Sequence, residues 1–244
     1  MEGTEKALLI DTGLGKGDLK GLVKTLTRLP VEVAVTHPHP DHMFHAHEFD
    51  RIYLHRKDAE TLRKTPAHSL HMNFTLPDPE KIIPVEEGSR IDLGGGVVIE
   101  VAELGGHTPN SVVYIDPYHQ SVFTGDAIGS GYIILMICNP EKALENVSYF
   151  RGQLEKFRKH LSGLKDYAYF GGHFIQENGC DLRRQEDYLG GTSSYYNPIS
   201  SEVAADMASL CEKIMDGSIT MKEILASPEH ACFYKTAGMM FRFD

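Results

Sequence analysis

Four metal-donor side chains fall within six residues in the segment Thr36-His37-Pro38-His39-Pro40-Asp41-His42, and this cluster limits what the chain can become more than any other stretch. The β-branched run Val31–Thr36 leads into it from Pro30, so the cluster stands at the end of a strand. Pro38 and Pro40 disfavour the helical region for the residues before them, which keeps His37 and His39 extended. Residues two apart in an extended chain share a face. His37 and His39 therefore reach one position together, while the turn that follows sends Asp41 and His42 toward a neighbouring one.

A metal centre needs donors from more than one segment, and the rest occur near the ends of later apolar runs. They are His107 in Gly105-Gly106-His107-Thr108-Pro109-Asn110-Ser111, Asp126 in Phe123-Thr124-Gly125-Asp126, and His173 in Phe170-Gly171-Gly172-His173. Glycine precedes each, permitting the bend that aims a loop side chain inward. Five imidazoles and two carboxylates suit borderline divalent ions, zinc first, with iron or manganese as alternatives. His45, His47, His55, His68, His71, His119, His160 and His230 read as ordinary surface or core histidines.

Periodicity sets the frame around these donors. Lys6–Asp11 reads as a buried strand, and Leu19, Leu22, Val23 and Leu26 then recur at helical spacing. With Val31–Thr36 and Arg51–Leu54 this is strand and helix alternation, the pattern of an α/β layered fold. Residues 65–96 are rich in Pro, Gly and polar side chains and read as a long loop or cap. Val97–Leu104, Ser111–Ile115 and Ser121–Thr124 follow as a mainly antiparallel meander, turning at Asp116-Pro117. Leu144, Val147, Phe150, Leu154, Phe157 and Leu161 mark one long amphipathic helix before strand Tyr167–Phe170. The tail carries a helix with Val203, Met207, Leu210 and Ile214 on one face, then a hairpin about Gly238. Residues 1–190 are expected to form the catalytic domain, with 191–244 as its helical and hairpin extension.

Composition removes several classes of function. The chain carries a formal charge of −10 with scattered cations, which argues against nucleic acid or an anionic membrane surface as partner. Cys138, Cys180, Cys211 and Cys232 show no short spacing, so they read as reduced, mostly buried thiols. The longest apolar run, beginning at Tyr132, is far short of the roughly 20 residues that span a bilayer. A cytoplasmic protein with a small-molecule substrate is the expectation, and the run at Tyr132 suits a homodimer contact.

With these motifs in order, the chain from about Lys6 to His173 resembles the metallo-β-lactamase superfamily. The resemblance implies a four-layer αββα sandwich with a C-terminal helical appendage. It also implies two metals, the first held by His37, His39 and His107, the second by Asp41, His42 and His173, with Asp126 bridging them. Asp11 matches the family's first-strand aspartate, a support behind the ligands. The activity implied is attack of metal-bound hydroxide on an ester, thioester or lactone, with Asp126 and Asp41 as catalytic carboxylates and Asp41 handling the proton. Hydroxyacylglutathione hydrolase and thioesterase branches are the nearest in pattern. An iron-dependent persulfide dioxygenase and a phosphodiesterase are the alternatives, although the dioxygenases leave the second ligand set unused. Two departures stand out: Met43-Phe44-His45 replaces a small Gly-Gly pair, and no strand precedes Lys6, which suggests either a trimmed N-terminus or replacement by the C-terminal hairpin. Tyr132, Tyr195 and Tyr196 are candidate substrate contacts.

Overall fold

A computed structural model describes residues 1–64, 75–128, 132–135 (backbone only), 138–173, 199–227 and 230–243. The chain forms two compact α/β units, Met1–Ala102 with Tyr114–His119, and Glu103–Val113 with Gln120–Asp244. Expectations for His68, His71, Tyr195, Tyr196, Cys180 and the side chain of Tyr132 lie outside the described residues.

The first unit is built on four strands, β1 (Ala7–Ile10), β2 (Val31–Ala34), β3 (Ile52–His55) and β4 (Ile82–Val85), paired in that order and all parallel. Parallel neighbours require crossovers. Helix α1 (Leu19–Leu26) connects β1 to β2, the short α2 (Pro40–Met43) lies between β2 and β3, and α3 (Arg56–Lys64) follows β3. Val33, Val35, Met43, Ala46, Phe49, Ile52, Leu54, Ala59 and Ile82 close a buried core around them. Asp18 caps α1 by accepting from the Gly21 amide at 2.7 Å. Only Val23 of this two-turn helix is buried; Leu22 and Leu26 stand exposed, because so short a helix turns only a narrow arc toward the sheet.

The stretch expected as a loop contains two strands, β4 and β5 (Arg90–Asp92). Pro84 hides β4 from a pattern reading, yet proline is tolerated there because β4 is the edge strand. β5 pairs antiparallel with β6 (Val98–Glu103) through a turn at Gly94, Gly95 and Gly96, all at positive φ. β7 (Val112–Asp116) neighbours β6 and shares its residues between the units. Its fully buried Tyr114 donates from its hydroxyl to the Val35 carbonyl at 3.0 Å, pinning the chain just ahead of the histidine cluster.

In the second unit β8 (Ser121–Gly125) lies between β7 and β10 (Ala168–Gly171), and β10 runs parallel to it. Strand β9 (Tyr132–Leu135) pairs parallel with β12 (Ala237–Phe241), which closes a hairpin with β11 (Ala231–Tyr234). Among the described residues the C-terminal hairpin extends β9. Helix α4 (Ala143–Leu161) packs against α5 (Ser201–Met215), burying Val147, Phe150, Leu154 and Phe157 from the first and Val203, Met207, Leu210 and Ile214 from the second. Leu144 is exposed and Ala143 takes the inward place. A capping box of Thr220 and Glu223 starts α6 (Met221–Ala226). Cys138, Cys211 and Cys232 are buried, and burial pushes the thiols of Cys211 and Cys232 up to about 12. No helix among the described residues is long and apolar enough to cross a membrane.

One carboxylate interrupts the four parallel strands β1–β4 of the first unit. Glu32 in β2 is 6% exposed and accepts from the Tyr53 hydroxyl at 2.6 Å, with Lys6 at 3.0 Å and Arg51 at 2.7 Å. Burial alone would raise its pKa. Hydrogen bonds from Tyr53 and Lys6, aided by the charges of Lys6 and Arg51, outweigh burial and hold the carboxyl below the usual range. A depressed carboxylate contributes stability above its unfolded pKa, ~4.3, and loses it as the pH falls through the lower folded value. Glu32→Gln should lower stability at pH 7 by about 1–3 kcal/mol. Denaturant melts of both proteins should converge as the pH falls through the depressed folded value of Glu32; a difference undiminished in acid would contradict this account.

Candidate metal centre

Within the first unit, β2 ends at Ala34 and the chain bends at Thr36 and His37, so the cluster is not the fully extended segment the prolines suggest; His39 alone has φ and ψ of −72° and 148°, those the following proline favours. Pro40 then opens α2, where its missing amide costs nothing. The imidazoles of His37 and His39 lie 4.6 Å apart between centroids, and those of His37 and His42 lie 4.1 Å apart. The Asp41 carboxylate is 3.7 Å from Nε2 of His42. His37 and His42 are buried, whereas His39 and Asp41 are partly open.

Asp11 stands behind this cluster. Its backbone occupies the left-handed region, φ 54°, just beyond β1. Its Oδ1 accepts from the Thr36 amide at 2.7 Å, and its Oδ2 meets the Thr36 hydroxyl at 2.8 Å and Nδ1 of His42 at 2.7 Å. An ionised carboxylate only accepts, so His42 donates from Nδ1 and carries its lone pair on Nε2. Thr12 adds two bonds to the His42 carbonyl, from its amide at 2.7 Å and from its hydroxyl at 3.1 Å. Asp11 thus contacts Thr36 and His42, the neighbours through which the expected support would act. Thr36 and Thr12 were not singled out in the sequence; the signal available was a threonine directly beside a donor motif.

Within the second unit, three loops present the remaining donors. The loop between β6 and β7 is tightened by Leu104 amide to Ser111 carbonyl and Gly106 amide to Thr108 carbonyl, both 2.9 Å, and by the Thr108 and Ser111 hydroxyls at 2.7 Å. Glycine is required here by close approach: a Cβ on Gly106 would collide with the Phe150 ring, and one on Gly105 with Pro109 and Tyr149. Asp126 and His173 follow the C-terminal ends of the parallel pair β8 and β10, where the Gly172 amide donates to the Gly125 carbonyl at 2.9 Å. Nε2 of His107 is 3.4 Å and Nε2 of His173 is 3.2 Å from the same atom, Oδ2 of Asp126.

Those spacings fit a metal. Two ligand atoms each about 2.0–2.1 Å from a tetrahedral zinc stand about 3.3 Å apart. Imidazole nitrogens and carboxylate oxygens in a largely buried setting are the donor chemistry of zinc, iron or manganese. Candidate metal-binding groups of His and Asp exist among the described residues.

The other described histidines are held elsewhere. His45 meets Glu48 at 2.6 Å, His47 the Phe44 carbonyl at 3.1 Å, and His119 meets Asp116 at 2.6 Å. His160 and His230 pack against Phe157 and Phe243.

The family model described as Metallo-beta-lactamase superfamily matches residues 1–173. Acyl-coenzyme A thioesterase MBLAC2 of Homo sapiens is 26% identical over 164 residues, 55% of this chain and 58% of the relative, so the chain spans little more than half of that protein. Among solved structures, a Cronobacter sakazakii metallo-beta-lactamase with a HARLDQ motif superposes with a TM-score of 0.59 at 14% identity, over 93% of this chain and 83% of the other. The di-iron-bound form of TTHA1623 gives 0.53 at 22% identity, over 82% and 87%. At such identities the structural likeness speaks for the fold alone.

Packing at the His107 loop gives a direct test. Gly106→Ala should overpack Phe150 and cost about 1–3 kcal/mol, read as a lower thermal midpoint. Adding Phe150→Leu should recover part of the loss; an unchanged midpoint in the single variant would refute the close approach.

Proposed function

The chain belongs to the metallo-β-lactamase superfamily, and from that premise we propose that it is a dinuclear metal-dependent hydrolase of small acyl thioesters, esters or lactones. Members of this superfamily are mostly metal-dependent hydrolases. The observation that carries the reading is the Asp126 carboxylate, one oxygen of which takes Nε2 of both His107 and His173 within 3.4 Å. A carboxylate with an imidazole on either side is suited to span two cations. In the proposed assignment His37, His39 and His107 hold the first metal, Asp41, His42 and His173 the second, and Asp126 contacts both.

A bound metal pair would supply a water acidified to near neutrality and a Lewis acid for the carbonyl under attack. The protein's part is to hold the donors rigidly, and the three bonds to Asp11 and the tightened 104–111 loop do so. Asp41, with its side chain 36% exposed, is the carboxylate placed to take a proton from the attacking water and return it to the departing thiolate or alkoxide. Thioesters rank first among substrates because the human relative is an acyl-coenzyme A thioesterase. Zinc, a cytoplasmic setting, a small-molecule substrate and a homodimer remain part of the proposal, and neither nucleic acid nor membrane is included as a partner.

The test pairs elemental analysis with a substrate screen. We expect close to two metals per chain, turnover of an acyl thioester above that of a generic phosphodiester, and loss of turnover after chelation. Asp126→Ala should lower kcat/KM by at least about a hundredfold and reduce metal content, since even residues behind the ligands cost 10–100-fold. Full turnover in metal-depleted protein would sink the reading, and one iron per chain with oxygen consumption on a persulfide would replace it with the dioxygenase.

A further inference from the structure

We infer that Thr36 is a positioning residue that passes the hydrogen-bonding demand of Asp11 on to His37, so that one carboxylate presets an imidazole for each of the two metals. The inference rests on the metal assignment proposed above. Its ground is a chain of three buried or part-buried contacts: Asp11 Oδ2 to the Thr36 hydroxyl at 2.8 Å, that hydroxyl to Nδ1 of His37 at 3.1 Å, and Asp11 Oδ2 to Nδ1 of His42 at 2.7 Å.

A hydroxyl has one proton to give. Thr36 has two neighbours that could take it, and the carboxylate of Asp11 is both closer and negatively charged, which makes it the stronger acceptor. The Thr36 proton therefore goes to Asp11, and the oxygen then accepts from His37. That requires the Nδ1–H tautomer of His37 and puts its lone pair on Nε2. His42 is set in the same tautomer by Asp11 directly. Thr36 is 1% exposed, so its hydroxyl is shielded from bulk solvent. Its amide is bound to Asp11 Oδ1 independently of the side chain, which lets the hydroxyl be removed while the backbone contact stays. A ligand whose second nitrogen is already engaged needs no reorientation on metal binding, and partners of this kind are worth 10–100-fold in metal affinity.

Three variants separate the relay from simple packing. Thr36→Val keeps the shape and deletes the hydroxyl; it should weaken one of the two zinc-binding steps by about 10–100-fold in competition with a chromophoric chelator, leaving the other unchanged. Thr36→Ser should restore that step, and Asp11→Asn should weaken both. Long-range 15N NMR of the imidazoles in metal-free protein gives a reading that does not depend on metal. His37 should be in the Nδ1–H tautomer in wild type and in Thr36→Ser, and lose that preference in Thr36→Val. Wild-type His37 in the Nε2–H tautomer would overturn the relay, as would a Thr36→Val protein binding both metals normally, or one weakened equally at both steps and unrestored by serine. A wild-type protein that binds no metal would instead defeat the hydrolase reading, while the tautomer measurement still decides the relay.

Discussion

The Asp11 carboxylate is the point on which the first half of the donor set depends. It lies beyond the end of β1, where the chain must turn, and it ties together the end of β2, through Thr36, and the start of α2, through His42. A non-glycine residue in the left-handed region is strained by about 1–2 kcal/mol, although Asp tolerates it better than most. Three hydrogen bonds to a charged group offset that cost. Without them the segment 36–42, which has two prolines and little regular structure, would lose three of the contacts that fix its path.

The same unit carries a second buried carboxylate used in the opposite sense. Glu32 is satisfied on every side by Tyr53, Lys6 and Arg51, all from the neighbouring strands β1 and β3 or beside them. Its contacts lock strand to strand. Asp11 presents its hydrogen bonds to the back of His42, a proposed metal donor, and to Thr36 beside His37. Burial of charge thus serves packing in one place and orientation in the other, and the two sites share β2, Glu32 within it and Thr36 just past its end.

Much of the site could be read from the sequence because its donors sit in short motifs with glycine or proline beside them. The HPHPDH segment is recognisable from its residues alone, and the order of the later motifs reinforced it. Harder to see was what lies behind the donors. Thr36 and Thr12 are common residues whose role comes from atoms brought in from β1 and α2, and no local pattern marks that. In the fold, β4 and β5 look like loop in the sequence because Pro84 breaks the apolar run of one and the other has only three residues. Helix α1 was recognised, but which of its leucines face inward depends on where the sheet lies, and Leu22 and Leu26 face out. The C-terminal hairpin was anticipated from Gly238; its pairing with β9 was not, since strand partners far apart in sequence leave no periodic trace.

Asp126 and His173 are neighbours because β8 and β10 run parallel, so both strands deliver their last residues to one edge. The connection between them includes β9 and all of α4. Length can drift in the turns that join these elements, since enlarging a flexible loop twofold costs only about 0.6 kcal/mol. Alignment cannot: sliding β10 by a single residue would carry His173 about 3.3 Å along the strand and reverse the side toward which each of its residues points. In descendants of such a chain, insertions should accumulate between these two residues far more readily than within the few positions that immediately precede either one.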